Sequence, residues 1–162
     1  MYKYSDMQTD IFGTIYILAG ETELLDISLS DDDWEQVRKK YDATYAPNDE
    51  VLVEIKKQLD EYFKGERKTF SFPIKFSGTA FQQKVWNELL QIPYGETRCY
   101  ADIANAIDNP KAVRAVGQAN RKNPIPIVVP CHRVIGKDKS LTGYTGTRTD
   151  LKEKLLELEG VF

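Results

Sequence analysis

The chain has 162 residues, of which 41% are hydrophobic and 29% charged, and it carries a net charge of −3 at neutral pH. That is the balance of a soluble protein of one or two small domains, and no apolar run approaches the ~20 residues that span a bilayer. Its two cysteines and single histidine, Cys99, Cys131 and His132, fall short of the ligand set of a closed zinc site, so no metal and no cofactor are expected.

The first residues, Met1-Tyr2-Lys3-Tyr4-Ser5-Asp6, carry no apolar h-region, so a reducing, cytoplasmic setting is expected. Residues 13–29 read as a β-hairpin, with Thr14–Leu18 and Leu24–Leu29 flanking Gly20-Glu21-Thr22. Asp31-Asp32-Asp33 reads as a solvated acidic turn. Val51, Leu52, Ile55, Leu59, Tyr62 and Phe63 recur at helical spacing, and Gly65 closes that helix. Phe70–Ile74 alternates as an edge strand does. Together these define a small α+β domain over residues 1–76, with nothing in it that looks catalytic.

Residues 77–162 read as mostly helical. Thr79 and Gln82 form a capping-box pattern ahead of Phe81, Val85, Trp86, Leu89 and Leu90, and Pro93-Tyr94-Gly95 ends that helix. A short helix follows from about Arg98 to Ile107. Asp108-Asn109-Pro110 makes a stop and restart, in which Asn109 caps the next helix and Pro110 occupies its first turn. Asn123-Pro124-Ile125-Pro126 cannot continue it. A last helix holds Leu151, Leu155 and Leu158 and ends at Gly160.

Two short helices joined by three residues have the shape of a helix-turn-helix. The second of them, Lys111–Asn120, has no acid. Ala115 and Ala119 lie one turn apart and allow a helix backbone to approach another surface closely. Arg114 and Gln118 are one turn apart too, and an arginine in that position can reach into a groove or stack on a base. Packing through the alanines inside a core explains the same pattern equally well. The charge supports a polyanion partner: residues 95–149 hold nine Lys/Arg, Arg121 among them, against four Asp/Glu, while the rest of the chain is acidic.

Behind this helix, Ile125–Val129 is an apolar run that should be buried, and Pro130-Cys131-His132-Arg133 follows it directly. Polar groups at the end of a buried run are costly to keep unless they do something. A free thiol titrates near ~8.5 and reacts only when a base or a positive environment activates it. Neighbouring side chains on extended backbone point to opposite faces, so Cys131 and His132 need a bridging water or a turn between them. An acidic group is needed to orient the histidine, and spacing alone does not choose it.

These segments together resemble the O6-alkylguanine-DNA alkyltransferases. The resemblance is carried by Asn123 to Gly136, by Lys111-Ala112-Val113-Arg114-Ala115-Val116-Gly117, by Phe81-Gln82 with Val85-Trp86, and by Ile92-Pro93-Tyr94-Gly95-Glu96-Thr97. It covers roughly residues 78–160 in order, which makes it far more specific than a tetrapeptide. It implies single-turnover transfer of an alkyl group from guanine O6, or from O4-alkylthymine, to Cys131. His132 would be the base, acting through a water, Glu159 its acidic partner, and Asn123 the hinge that braces the nucleophile segment.

The resemblance also implies a monomer that binds double-stranded DNA through the minor groove with the alkylated base flipped out. Tyr100, Arg114, Ala115, Gln118, Ala119 and Arg121 would contact DNA, with Arg114 filling the gap left by the flipped nucleotide. Tyr100, Pro126, Val134, Tyr144 and Thr145 would line the base pocket. Cys99 stands where many relatives have serine, and the zinc-bearing N-terminal domain of some relatives is not supported here. Two other classes make distinct predictions: a DNA-binding module would be indifferent to loss of Cys131, and a cysteine hydrolase would turn over repeatedly.

Overall fold

The computed structural model describes residues 1–136 and 149–162. The chain divides into two compact units, Met1–Phe76 and Ser77–Phe162. The mixed α+β class expected from the sequence is what is found.

In the first unit, β1 (Tyr2–Thr9), β2 (Gly13–Ala19), β3 (Leu24–Ser28) and β4 (Ala43–Tyr45) form one sheet in the order β3-β2-β1-β4. The expected hairpin is β2 and β3, antiparallel, with an irregularity between Leu18 and Ala19. Strand β1 pairs antiparallel with β2, Lys3 opposite Ala19, and β4 joins its other edge in parallel. Sequence reading missed β1 because it has little apolar alternation: its one buried residue is Ser5. The acidic turn expected at Asp31–Asp33 is instead the first turn of α1 (Asp31–Arg38). Ser30 Oγ accepts the Asp33 N–H at 3.1 Å, and three carboxylates sit where the helix dipole favours them.

Helix α2 (Glu50–Phe63) is capped by Asp49, whose carboxylate accepts the Val51 and Leu52 N–H groups. It buries Leu52, Ile55, Leu59 and Tyr62. Gly65, at φ +76°, closes it as expected. The edge strand expected over residues 70–74 is reduced to a bridge between Leu24 and Ile74. Pro73 has no N–H for a ladder, and only its carbonyl, which accepts from Leu24, takes part.

The second unit contains α3 (Ala80–Leu89), β5 (Arg98–Cys99), α4 (Tyr100–Ala106), α5 (Val113–Arg121), a 3₁₀ turn (Cys131–Arg133), β6 (Val134–Ile135) and α6 (Thr149–Leu158). Both halves of the Thr79–Gln82 capping box are made. Trp86 of α3 is buried, and its indole N–H donates to the Ala119 carbonyl at 2.8 Å, which fastens α5 to α3. Val85, Leu89, Ile103, Val116, Ile125, Val129, Leu155 and Leu156 complete this core, each contributing about 1.5–3 kcal/mol through burial.

The connection between α4 and α5 differs from expectation. It spans residues 107–112, longer than three, and Ala112 rather than Asn109 is the N-cap of α5. Asp108 sits at φ +59°, so Asn109 and Pro110 are spent on a turn, whose Asn109 carbonyl accepts the Ala112 N–H. Strands β5 and β6 pair in parallel, Arg98 with Val134 and Cys99 with Ile135, and so tie the start of α4 to the segment that follows Cys131. Among the described residues no helix is long and apolar enough to cross a membrane.

Candidate active site

Asn123 braces the segment between α5 and the cysteine at both of its ends. Asn123 Nδ2 donates to the Val129 carbonyl at 2.7 Å, while its Oδ1 accepts the Ile125 N–H at 2.9 Å. This closes a loop in which Ile127 takes φ +76°. A β-branched residue in that region costs about 1–3 kcal/mol and persists only where surrounding structure imposes it. The loop delivers Cys131, His132 and Arg133, all buried, as a 3₁₀ turn rather than the extended backbone that adjacent residues of a strand would have. Of the two ways of relating Cys131 to His132, a turn is therefore present.

Glu159, just past the end of α6, meets this turn. Its Oε2 lies 2.7 Å from His132 Nε2 and 3.0 Å from Arg133 Nη2, and its Oε1 accepts Arg133 Nε–H at 2.8 Å. The guanidinium also donates to the Ile92 carbonyl at 2.8 Å and lies over the Tyr94 ring. Burial raises the Glu159 carboxyl, but bonds and charge from His132 and Arg133 outweigh it and hold the group well below the usual carboxylate range. Burial lowers His132, and the cations of Arg133 and Lys152 act with it against the opposing pull of Glu159. Burial and these cations thus favour the neutral imidazole. Facing a carboxylate, Nε2 must carry the proton, which leaves Nδ1 as the acceptor nitrogen. Nδ1 has no partner among the described residues.

Burial pushes the Cys131 thiol up to about 11, while the Asn123 side chain and the Lys152 charge pull the other way. Lys152 of α6 is itself fully buried and lowered by burial to about 8, with its ammonium 5.9 Å from the Tyr100 ring centroid. The resting thiol is thus protonated and shielded, and it needs a base to become a nucleophile.

The expected site residues fall into three sets. Cys131, His132, Glu159 and Asn123 come together as described; Tyr100 starts α4 with its ring near the Lys152 ammonium, and Pro126 and Val134, which precede and follow the cysteine turn in the chain, are buried. Arg114, Ala115, Gln118 and Arg121 share the exposed side of α5. Ala119 does not: it is 1% exposed, packed inward with its carbonyl bonded to Trp86, so the expectation that it faces DNA is corrected. Tyr144 and Thr145 lie outside the described residues. Sequence reasoning missed the bidentate role of Arg133 and the burial of Lys152 and Asn120. The one available signal was for Lys152, which sits beside Leu151 and one turn before Leu155 and Leu156 on the inward stripe of α6.

Comparison with known proteins adds to this geometry. Residues 2–76 match the ribonuclease-like domain, and residues 80–161 the DNA-binding domain, of 6-O-methylguanine DNA methyltransferase. The constitutive methylated-DNA–protein-cysteine methyltransferase of Bacillus subtilis (strain 168) is 50% identical over 161 residues, covering 99% of this chain and 97% of that protein. The crystal structure of the Mycobacterium tuberculosis O6-methylguanine methyltransferase superposes with a TM-score of 0.88 at 42% identity, covering 98% of this chain and 93% of that one. That of Mycobacterium tuberculosis OGT in complex with DNA gives 0.86 at 42% identity, covering 97% and 92%. With a buried cysteine, a histidine locked to a glutamate and both domains matched along nearly their whole length, this chain belongs to the 6-O-methylguanine DNA methyltransferase family.

Proposed function

We propose that this protein repairs DNA directly, taking the alkyl group from O6-alkylguanine onto Cys131. The single observation that carries this chemistry is the orientation of His132: Nε2 lies 2.7 Å from Glu159 Oε2, and Nδ1 has no partner among the described residues and is left to accept a proton. The Cys131 proton passes through a bridging water to Nδ1. The sulfur pair then forms the S–C bond, the C–O6 bond breaks, and that pair stays on the guanine oxygen, where the Tyr100 hydroxyl bonds the leaving base. Glu159 holds the imidazolium that forms, and Arg133 keeps the carboxylate ionised.

A thioether has no easy return route, so each molecule acts once. O4-alkylthymine presents the same alkyl–oxygen bond and is a secondary substrate. The Val134 carbonyl receives the exocyclic amine of guanine, and Pro126 borders the base.

The target base is reached outside the stack, which costs a few kcal/mol. The exposed side of α5 approaches the minor groove of duplex DNA through Ala115, Arg114 fills the gap left by the flipped nucleotide, and Gln118 and Arg121 contact the strand. The complex of the mycobacterial relative with DNA supports a DNA partner. One protein molecule serves one lesion, in the cytoplasm, as a monomer.

Titrating the protein with an excess of duplex DNA carrying labelled O6-methylguanine tests the proposal. Repaired guanine should plateau at one per protein, with the label on the protein. Continued turnover with a released methyl product would instead indicate a hydrolase, and binding without any loss of label a DNA-binding module.

A further inference from the structure

Helix α5 has an exposed side and an inward side, and its inward residues are Val116, Ala119 and Asn120. That spacing is one an apolar stripe fills, and Asn120 breaks it. The residue is 1% exposed. Its Nδ2–H donates to the Cys131 carbonyl at 3.4 Å, and its Oδ1 has no partner among the described residues. Leaving a buried amide oxygen unpaired costs roughly 1–3 kcal/mol, so an apolar residue of the same size would suit the resting fold better.

Two bonds fasten this end of α5, and they differ. Trp86 holds the Ala119 carbonyl at 2.8 Å, while the Asn120 link to the cysteine turn is 3.4 Å. The usual N–H···O separation is about 2.9–3.0 Å, so the second bond is slack, and a displacement of α5 by a few tenths of an ångström tightens or breaks it. It is also a direct side-chain link between the helix proposed to bear on DNA and the nucleophile.

We infer that Asn120 is a positioning residue that couples α5 to the Cys131 turn. DNA seated on the outer side of α5 draws the Asn120 amide onto the Cys131 carbonyl and fixes the turn for transfer. This rests on the reading that Cys131 takes its alkyl group from DNA. Asn120 makes and breaks no covalent bond, so its effect belongs to the acceleration that duplex DNA confers and not to reaction with a base free in solution.

The test compares wild type with Asn120→Leu and Asn120→Ala. Transfer to Cys131 is timed from O6-methylguanine in saturating duplex DNA and from the free O6-methylguanine base, together with duplex affinity and melting temperature. Asn120→Leu should melt no lower than wild type and bind duplex as tightly. Its maximal rate on duplex should fall roughly tenfold, equivalent to about 1.4 kcal/mol of barrier, with the free-base rate held within about twofold. Asn120→Ala, which needs no extra room, should show the same split and decides the matter should the leucine not fold. An unchanged duplex rate, a parallel fall on both substrates, or a change in affinity alone would overturn the inference. If wild type itself placed no methyl on Cys131, the proposed function would fall and this coupling with it.

Discussion

The two units bury polar groups in opposite ways. In Met1–Phe76 the fully buried polar residues are Ser5, Ser28 and Gln58, all neutral and all bonded: Ser5 to Lys56, Ser28 to the partly buried Asp26, and Gln58 to Glu54 and Ser71. Among the described residues of Ser77–Phe162 they are Asn120, His132, Arg133, Lys152 and Glu159, four of these ionisable. Among the described residues, the two buried side-chain atoms without a partner, Asn120 Oδ1 and His132 Nδ1, both belong to this second unit. Burying ionisable groups is a poor route to stability. The first unit closes its hydrogen bonds as a scaffold does, and the second leaves acceptors open around a thiol.

The largest break in this comparison is Cys131→Ser. Transfer should vanish while duplex binding and the melting temperature stay near wild type, because a hydroxyl is a far poorer nucleophile at neutral pH. A parallel loss of fold would place Cys131 with the scaffold.

Next come Glu159→Ala and His132→Ala. Either should slow transfer strongly, and the double variant should be little slower than the worse single, because the pair acts as a unit. Glu159→Ala also leaves Arg133 buried without its carboxylate, which costs about 3–5 kcal/mol in denaturant titrations. Additive losses in the rate cycle would break the coupling.

Arg114→Ala should slow repair of duplex much more than reaction with the free base, with little change in stability, since the side chain is exposed. Equal losses on both substrates would move Arg114 from the DNA face into the pocket.

The smallest effect separates the units by pH. His132 and Glu159 are held below their unfolded values of 6.5 and 4.5, so their contribution is full above those values and is lost as pH falls through the lowered ones. Asp26 runs the other way: burial raises it from 3.8 to about 7, so its contribution is full below 3.8 and is lost as pH rises through about 7. Asp26→Asn should therefore stabilise the chain at alkaline pH, with little effect near pH 4 and none on transfer. A change in transfer rate would deny the first unit its purely structural part.

Much of this was legible in the sequence where local chemistry decides. The Thr79–Gln82 box, the α2 stripe with its closing Gly65 and the Cys-His pair all depend on residues within a few positions of each other. Strand β1 was hidden because pairing with β2 and β4, not its own pattern, makes it a strand. The acidic run at Asp31–Asp33 has the composition of a turn, and it is the Ser30 cap just before it that makes it the start of a helix. Asn109-Pro110 carries the signature of a helix start, yet the left-handed Asp108 turns the chain first and delays α5 to Val113. Within the site, the resemblance supplied Glu159, which lies 27 residues from His132. Arg133, Lys152 and the inward turn of Ala119 and Asn120 depend on how α3, α5 and α6 pack, and no short-range pattern encodes that.

The most direct test is a peptide map by mass spectrometry after incubation with duplex DNA carrying O6-methylguanine, for wild type, Cys99→Ser and Cys131→Ser. Cys99 caps α4, where its backbone N–H is held by Asp102 at 2.8 Å, and serine serves that position equally well. Wild type and Cys99→Ser should each gain one methyl on the peptide containing Cys131, and Cys131→Ser should gain none. Methyl on the Cys99 peptide, or complete repair without any methyl on the protein, would contradict the assignment of Cys131 as the acceptor.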